Sequence, residues 1–587
     1  MSEKRKYNET RVTAVICALL GMASFVAIYG VAVLDFTYVD WLLPVTYSNS
    51  DLTQHYLGWV TYRNSAWHFP LGLMDNVNYP HLISVIYMDA LPLFSFIFKL
   101  LSPILPENFQ FFGLFGFLCF ALQGYFSGLL FFKCTKNRAY SVIGSLFLIL
   151  SNIMIFRLYW HTGLAAHWII LASYAVWMNQ EKFDKLWKKA LVWSGLTIIG
   201  LLTEVYFVPM IWGIMICSLL QNCMKWKKYA ESFGVLCSAV VSFVIVGWMF
   251  GLFYGGVTAG DYGLGLYSFN YNGFINTVRS DYHLFLKPLI LTNDIQYEGY
   301  SYLGMGILVF IPALCVAAVV KYRKRLLLVL KKICRNRNVF WPVLILIVGF
   351  VGFAASPIIS FGKHIFKLPI SDGIFRIWSI FRSTGRMIWP IWYLIVFGVL
   401  VGWYMVMRKR KTLLYGVSVV LFVLQIIDFI PMIQLKKTVT QPGLKYQEEC
   451  INSRAWEEIG ENYKHMIFYP NTRSYMYWND TPYYFHLYAL QYDLTMNTTY
   501  FSRDISATVD TETRELFDKV KNGIETWDDD TFYVCLEELP EYSEGLYSYW
   551  IDGAFVYLPK PLENEYDNCV YMENAYEKVQ ELMSGIE

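Results

Sequence analysis

This sequence predicts an α-helical polytopic membrane protein that carries a small extracytoplasmic α/β domain at its C-terminal end. Long apolar runs recur along most of the 587 residues, 56% of which are hydrophobic and only 16% charged, against about 25% charged in ordinary soluble chains. Basic residues gather in six short clusters between those runs. After Lys437 the composition turns polar and acidic.

The candidate spans are 12–34, 109–132, 140–156, 165–178, 190–221, 232–254, 302–320, 339–355, 388–406 and 412–432. The first has no Ala-x-Ala-like site and reads as an uncleaved span. The basic clusters are Lys4/Arg5/Lys6/Arg11, Lys133/Lys136/Arg138, Lys182/Lys185/Lys188/Lys189, Lys225/Lys227/Lys228, Lys321 to Arg337, and Arg408/Lys409/Arg410/Lys411. Short basic loops favour the cytoplasmic side, so an even number of crossings separates each neighbouring pair. That parity makes the run 83–101, with Asp89, Pro92 and Lys99, an interfacial or re-entrant helix. It also folds 190–221 into a tight hairpin near Thr203-Glu204-Val205. The expectation is about eleven transmembrane helices in the cytoplasmic (plasma) membrane, with the N-terminus cytoplasmic. Residues 1–435 form the transmembrane domain with outer loops 35–108, 255–301 and 356–387, and 436–587 form the extracytoplasmic domain.

Several function classes drop out. A net charge of +2 gives no bulk case for nucleic acid. Eleven cysteines contain no CxxC pair, so neither a zinc nor a redox motif is supported. One disulfide among Cys450, Cys535 and Cys569 stays open. No phosphate-binding GxxxxGK[ST] loop or dinucleotide glycine fingerprint occurs, which disfavours a soluble nucleotide donor. His–Asp metal spacing is absent, so no metal site is assigned.

In the C-terminal part, Met466-Ile-Phe-Tyr, Phe532-Tyr-Val-Cys-Leu and Ala554-Phe-Val-Tyr-Leu read as short strands. Asp510 to Lys521 reads as a helix with Asp510 as its cap and Gly523 past its end. Tyr475, Tyr477, Trp478, Tyr483 and Tyr484 are suited to stack on sugar faces or to pack a core. Trp41, Trp59, Trp67, Trp389 and Trp392 are expected in interfacial belts.

Asp51 is the leading chemical candidate. It lies in Ser50-Asp-Leu-Thr-Gln-His-Tyr-Leu-Gly-Trp, beside the outer end of the first span. A carboxylate there points to a catalytic base on the extracytoplasmic side, and the bland alternative is a helix N-cap. Gln54 and His55 share its helical face. Arg157, His161 and His167 flank a short outer turn, where His167 reads as a satisfied buried histidine. Glu204, inside an apolar run, is functional by default unless the hairpin brings it to the surface.

The order of first span, Asp51, a Tyr79-Pro80 turn into a juxtamembrane helix, and a second span ending in basic residues resembles the GT-C superfamily of membrane glycosyltransferases. Trp67-His-Phe-Pro-Leu-Gly, Glu298-Gly-Tyr-Ser-Tyr-Leu-Gly and Phe381-Arg-Ser-Thr-Gly-Arg extend the likeness over roughly residues 10–432, toward a bacterial multi-spanning branch. The resemblance implies a GT-C-like enzyme that moves a sugar from a polyprenyl-phosphate donor to a hydroxyl of a surface glycan, lipid or protein acceptor. Asp51 would take the acceptor proton. Arg376, Arg382, Arg386 and Arg279 would hold the donor phosphate, with Lys363 and His364 as lesser candidates. Gln54, His55, Tyr79, His161 and Glu298 would contact substrate. Many GT-C enzymes pair two acids in the first outer loop. Here Leu52 follows Asp51, so a second acid would come from Asp75 or Glu298, and a divalent cation stays open as a cofactor. The rival for the arginines is anchoring of the helix from Ile388 at lipid headgroups. The rival for the chain is a non-catalytic transporter, flippase or assembly component for surface polysaccharide, against which the few span charges and absent repeat weigh.

Overall fold

The computed structural model describes residues 3–43, 50–183, 185–256, 264–323, 335–441, 451–469, 481–502, 507–535 and 545–572. The chain divides into two compact units: a helical unit of residues 1–38, 110–246 and 259–442, and a mixed unit of residues 39–109, 247–258 and 443–587. Tyr475, Tyr477, Trp478 and Cys450 lie outside the described residues, as does most of the Lys321 to Arg337 cluster.

Nine helices among the described residues are long and apolar enough to cross a membrane: Asn8–Tyr29, Phe112–Thr135, Arg138–Arg157, Phe207–Trp226, Tyr229–Met249, Met305–Tyr322, Arg337–Ala355, Thr384–Met407 and Lys411–Val439. Eleven were expected. The run 165–178 forms the helix Trp168–Met178 of 11 residues, about 16 Å long against a hydrocarbon core of about 30 Å. The run 190–221 does break where the parity count asked. Leu186–Thr203 ends at an extended Glu204, and the next helix starts at Phe207. Its first limb carries Lys188 and Lys189 and is not among the nine. The run 83–101 yields only the ten-residue helix Pro92–Leu101. The first span stops short of residue 34 because Gly30 turns left-handed at φ +79°.

The basic ends of the helices meet one another. Tyr404 donates to the carbonyl of Thr135 (2.7 Å), and Asn137 bonds the hydroxyl of Tyr415 (2.9 Å). Lys321 donates to the carbonyl of Met405 (3.0 Å), Lys133 to Asn179 (3.3 Å), and Lys225 pairs with Glu181 (2.7 Å). Three of the clusters read from the sequence, through Lys133, Lys225 and Lys321, therefore supply groups to these end contacts.

Close packing of the helices rests on small residues, as it must where lipid offers no hydrophobic drive for association. A Cβ on Gly124 would sit 2.1 Å from the carbonyl oxygen of Cys17, and one on Gly128 3.0 Å from the Cα of Ala14. These glycines, four apart, let Phe112–Thr135 lie backbone to backbone against the first helix. Polar side chains bind the interior further. Gln123 donates to the carbonyl of Leu148 (2.9 Å) and the hydroxyl of Tyr393 (2.8 Å), and that hydroxyl also meets Ser151 and His167 Nδ1 at 3.0 Å.

In the mixed unit a six-stranded sheet runs in the order Cys569–Tyr571, Tyr547–Ile551, Ala554–Leu558, Thr531–Cys535, His465–Phe468, Thr495–Met496. The last two neighbour pairs are parallel and the rest antiparallel. The three expected strands are all present. The helix at 510–521 begins at Ala507, which puts Asp510 inside its first turn rather than at the cap. Gly523 follows its end at φ +67°. Cys535 and Cys569 are free thiols.

The loop 39–109 belongs to this unit through its core. Tyr62, Met74, Val77, Val85 and Met88 pack with Trp456, Met466, Phe532 and Val556. Val77 bridges Met496 in parallel, so the loop extends the sheet edge. The unit boundary thus departs from the division at residue 435, because an apolar face in the loop needs a partner and finds it in the C-terminal sheet. Of the five tryptophans expected in belts, Trp41, Trp59, Trp389 and Trp392 are buried and only Trp67 is exposed. Trp389 and Trp392 spend their indole N–H groups on the carbonyls of Tyr300 and Tyr302.

Gly124→Ala is expected to destabilise by about 1–3 kcal/mol through overpacking. Gly195→Ala, with no heavy atom within 4 Å of the added carbon, is expected to be neutral or to stabilise by up to about 1 kcal/mol. Thermal unfolding of the two purified variants in detergent checks the pair, and equal melting temperatures would refute the close-packing account.

Candidate functional site

In the helical unit Arg157, Arg386 and His161 gather around Glu298. This residue sits in the tight turn Asp294–Gly299, and its side chain is 3% exposed. Arg386 grips both carboxylate oxygens, Nε at 2.7 Å and a terminal nitrogen at 3.0 Å. Arg157 adds a bond to the carboxylate at 2.7 Å and one to the Glu298 carbonyl at 3.1 Å. His161 lies 3.7 Å away, and its Nδ1 meets Arg157 at 3.3 Å. Burial alone would push the Glu298 carboxyl up, but Arg157, Arg386 and His161 outweigh it and hold the group well below the usual carboxylate range.

Local sequence builds this arrangement. Arg157 ends the helix Asn152–Arg157, and Arg386 lies in the turn Thr384–Ile388 that leads into Trp389–Met407. The Arg386 turn meets the Glu298 turn at glycines. A Cβ on Gly385 would come within 2.8 Å of both the Gly299 Cα and the Tyr267 carbonyl oxygen, and the Gly385 N–H donates to that carbonyl (3.0 Å). The stretches Glu298-Gly-Tyr-Ser-Tyr-Leu-Gly and Phe381-Arg-Ser-Thr-Gly-Arg are therefore two halves of one feature. Tyr206 closes it, with its ring 4.5 Å from the Arg386 guanidinium and its hydroxyl accepting from the Ser383 N–H (3.0 Å). Glu204 acts on Arg386 from the helix break beside Tyr206.

A second group of cations adjoins the first. Lys436 is 3% exposed and donates to the carbonyl of Leu158 at 2.8 Å. Its ammonium and the guanidinium of Arg279 stand 5.8 and 5.9 Å from the Trp160 ring. Arg279 pairs with Asp281 at 2.9 Å.

The remaining candidates are dispersed. Arg382 is partly buried, 5.4 Å from the Tyr267 ring. Arg376 is exposed in the last turn of Asp372–Ser379. Lys363 and His364 are exposed at the hairpin Ile358–Phe361/His364–Lys367. His167 is buried against Tyr393, as read from the sequence.

Asp51 lies in the mixed unit, half-buried in the first turn of Ser50–Asn64. A carboxylate in a first turn favours the helix dipole even without capping. Gln54 and His55 are both 2% exposed, and burial drives His55 down to about 3, so it is neutral. Tyr79 stacks on His465 at 4.3 Å, and Asp75 pairs with His68 at 2.9 Å. Among the described residues no three His, Cys, Asp or Glu side chains gather as a metal-ligand set.

Sequence reading missed Lys436 and Asp428. Asp428 accepts from Tyr302 and the Met305 N–H, both at 2.9 Å, and so ties the segment 264–304 to the last long helix. The signal for Asp428 was available, since ionisable residues inside an apolar run are functional by default, whereas Lys436 lies past the run 412–432, beside Lys437 in the last turn of its helix.

A family model described as a domain of unknown function, DUF6311, matches residues 18–430, and one described as the DUF6311 C-terminal domain matches residues 455–559. No curated protein and no solved structure matches the chain.

Glu298→Gln is expected to destabilise by about 3–5 kcal/mol, because two buried guanidinium groups lose their counter-charge. Adding Arg386→Met is expected to recover part of that loss. Additive losses in a melting-temperature cycle would show that the pair is not coupled.

Proposed function

The chain belongs to the DUF6311 family, and from that premise we propose that it is a GT-C-type glycosyltransferase using a lipid-phosphate-linked sugar at the outer face of the membrane. The observation that carries this reading is the concentration of Arg157, Arg386, Arg279 and Lys436 at the helix ends opposite the basic clusters. Such a focus suits a leaving group whose negative charge grows during reaction. The acceptor oxygen attacks the anomeric carbon, the bond from that carbon to the phosphate oxygen breaks, and the electron pair leaves on the lipid phosphate. The acceptor's proton passes to Asp51. The carrier stays in the bilayer, which fits a sequence with no nucleotide-binding motif.

Asp428 and Lys436, ionisable groups inside a long apolar helix, favour a transporter as the second reading. Proteoliposomes loaded with lipid-linked sugar separate the two: a transferase releases free lipid phosphate and a glycosylated acceptor, whereas a transporter moves the intact molecule.

Asp51→Asn is expected to lower transfer by about 10²–10⁴ while costing no more than about 1 kcal/mol of stability through the helix dipole. Turnover within a few-fold of wild type in a purified assay would remove Asp51 from the mechanism. The orientation is tested separately. A reporter fused after Met432 is expected to be active only in an exported form, and cytoplasmic activity there would overturn the outer-face reading.

A further inference from the structure

We propose that the segments 284–290, 358–368 and 371–380 form a membrane-docking surface of the helical unit, whose occupant is the anionic headgroup layer of the leaflet opposite the basic clusters. The inference stands on the membrane reading of the long helices and not on the transferase reading.

Apolar side chains stand outward from these segments while buried amides fix the backbone beneath them. Ile290, Phe361, Phe366 and Ile377 are 71%, 63%, 62% and 71% exposed. Under the hairpin, Asn270 donates to the Gly362 carbonyl (2.8 Å) and accepts from its N–H (2.9 Å), and Gln296 donates to the Ser360 hydroxyl (2.8 Å). Asn276 accepts from the Leu289 N–H (2.9 Å) and donates to its carbonyl (3.1 Å), and Asn272 donates to the Ile290 carbonyl (3.2 Å). Ile374 and Ile377 share one side of the helix Asp372–Ser379. That helix is pinned by Trp378, which stacks on Phe353 at 5.5 Å and donates to its carbonyl at 3.3 Å. Apolar surface held out in this way marks an interaction site.

Position and charge name lipid as the occupant. The hairpin begins at Ile358, just past Arg337–Ala355, and Asp372–Ser379 comes shortly before Thr384–Met407. The segment 284–290 is tied near the end of the apolar run 412–432: the Leu284 N–H donates to the Asp428 carbonyl (3.1 Å) and the Phe285 N–H to its carboxylate (3.3 Å). The surface therefore continues the ends of the long helices. Lys287, Lys363, Lys367 and Arg376 are exposed on it against the single acid Asp372, a balance of +3 with His364 neutral. Basic residues among exposed apolar ones suit an anionic lipid interface. A second copy in a two-fold contact would instead set the same cations against each other. The outer edge of His364–Lys367 pairs with no strand among the described residues. Its backbone groups need water or headgroups, which puts the surface at headgroup depth rather than in the hydrocarbon.

The test uses the full chain in nanodiscs of phosphatidylcholine, alone or mixed with phosphatidylglycerol. The probe is a phospholipid that carries a carbene-forming diazirine near its glycerol backbone, and peptide mass spectrometry after illumination locates the lipid adducts. Adducts are expected in the three segments as well as at Val348, an exposed residue within a long helix. Those in the segments are expected to rise about fivefold or more with phosphatidylglycerol, the ratio that one cation near an anionic surface supplies. Lys363→Gln combined with Lys367→Gln and Arg376→Gln is expected to abolish that rise. Phe361→Ser combined with Phe366→Ser is expected to lower the adducts in both lipids. All five positions are exposed, so both variants are expected to keep the wild-type melting temperature; should one fail to fold, the other and the lipid dependence of wild type carry the comparison. Adducts at Val348 with none in the segments overturn the inference. So do adducts indifferent both to phosphatidylglycerol and to the charge variant, and so does cross-linking of the segments to a second copy in place of lipid. Absence of adducts at Val348 as well takes the membrane reading down with it.

Discussion

The carboxylate of Glu298, buried between Arg157 and Arg386, is the interaction on which the charged end of the helical unit depends. It joins a helix end, a tight turn and the start of another long helix, three segments far apart in sequence. A buried ion pair of this kind adds little net stability over an apolar substitute, because desolvation offsets most of the attraction. Its value is geometric. A guanidinium fork on a carboxylate admits few arrangements, and the close approach of Gly385 to Gly299 leaves no space for a side chain between the two turns.

Once that frame is fixed, the surrounding polar groups find partners by proximity. Asn152 bonds Tyr300 at 2.6 Å and the carbonyl of Tyr302 at 2.8 Å. Tyr300 meets His283 at 2.6 Å. Asp428 anchors the same strip from the last long helix. Polar atoms so deep among apolar helices are costly when unpaired, and the pairing here ties the segment 264–304 down over the helix ends. Preorganisation of this kind suits a site that must receive charge without rearranging.

The mixed unit is organised by a different constraint. The helix Ser50–Asn64 packs on Thr481–Gln491, and His486 joins them, with Nε2 2.7 Å from the Thr61 hydroxyl and Nδ1 2.8 Å from that of Thr499. Burial holds His486 down to about 3, so it is neutral and serves as a fixed hydrogen-bonding bridge. Asp51 starts the helix that this bridge secures. Asp552 plays a similar part at the other edge, accepting from the N–H groups of Asn452 and Ser453 and the indole of Trp456.

The local rules of the chain were legible in its sequence. Apolar runs marked the helices, the parity of the basic clusters put a break at Thr203–Val205, and short apolar segments bounded by Pro or Gly marked three of the sheet strands. Two motifs were recognised at Glu298 and at Phe381–Arg386, though not that they face each other. Only tertiary structure decided three further matters: that Arg386 spends its fork on Glu298, that Lys436 lies beside Arg157 and Arg279, and that the loop 39–109 shares a core with the C-terminal sheet. The reason is physical. Periodicity and breaker residues act over one or two turns and are written in neighbouring positions. The partner of a buried charge or an apolar face is chosen by packing among segments more than a hundred residues apart, where no short pattern records the choice.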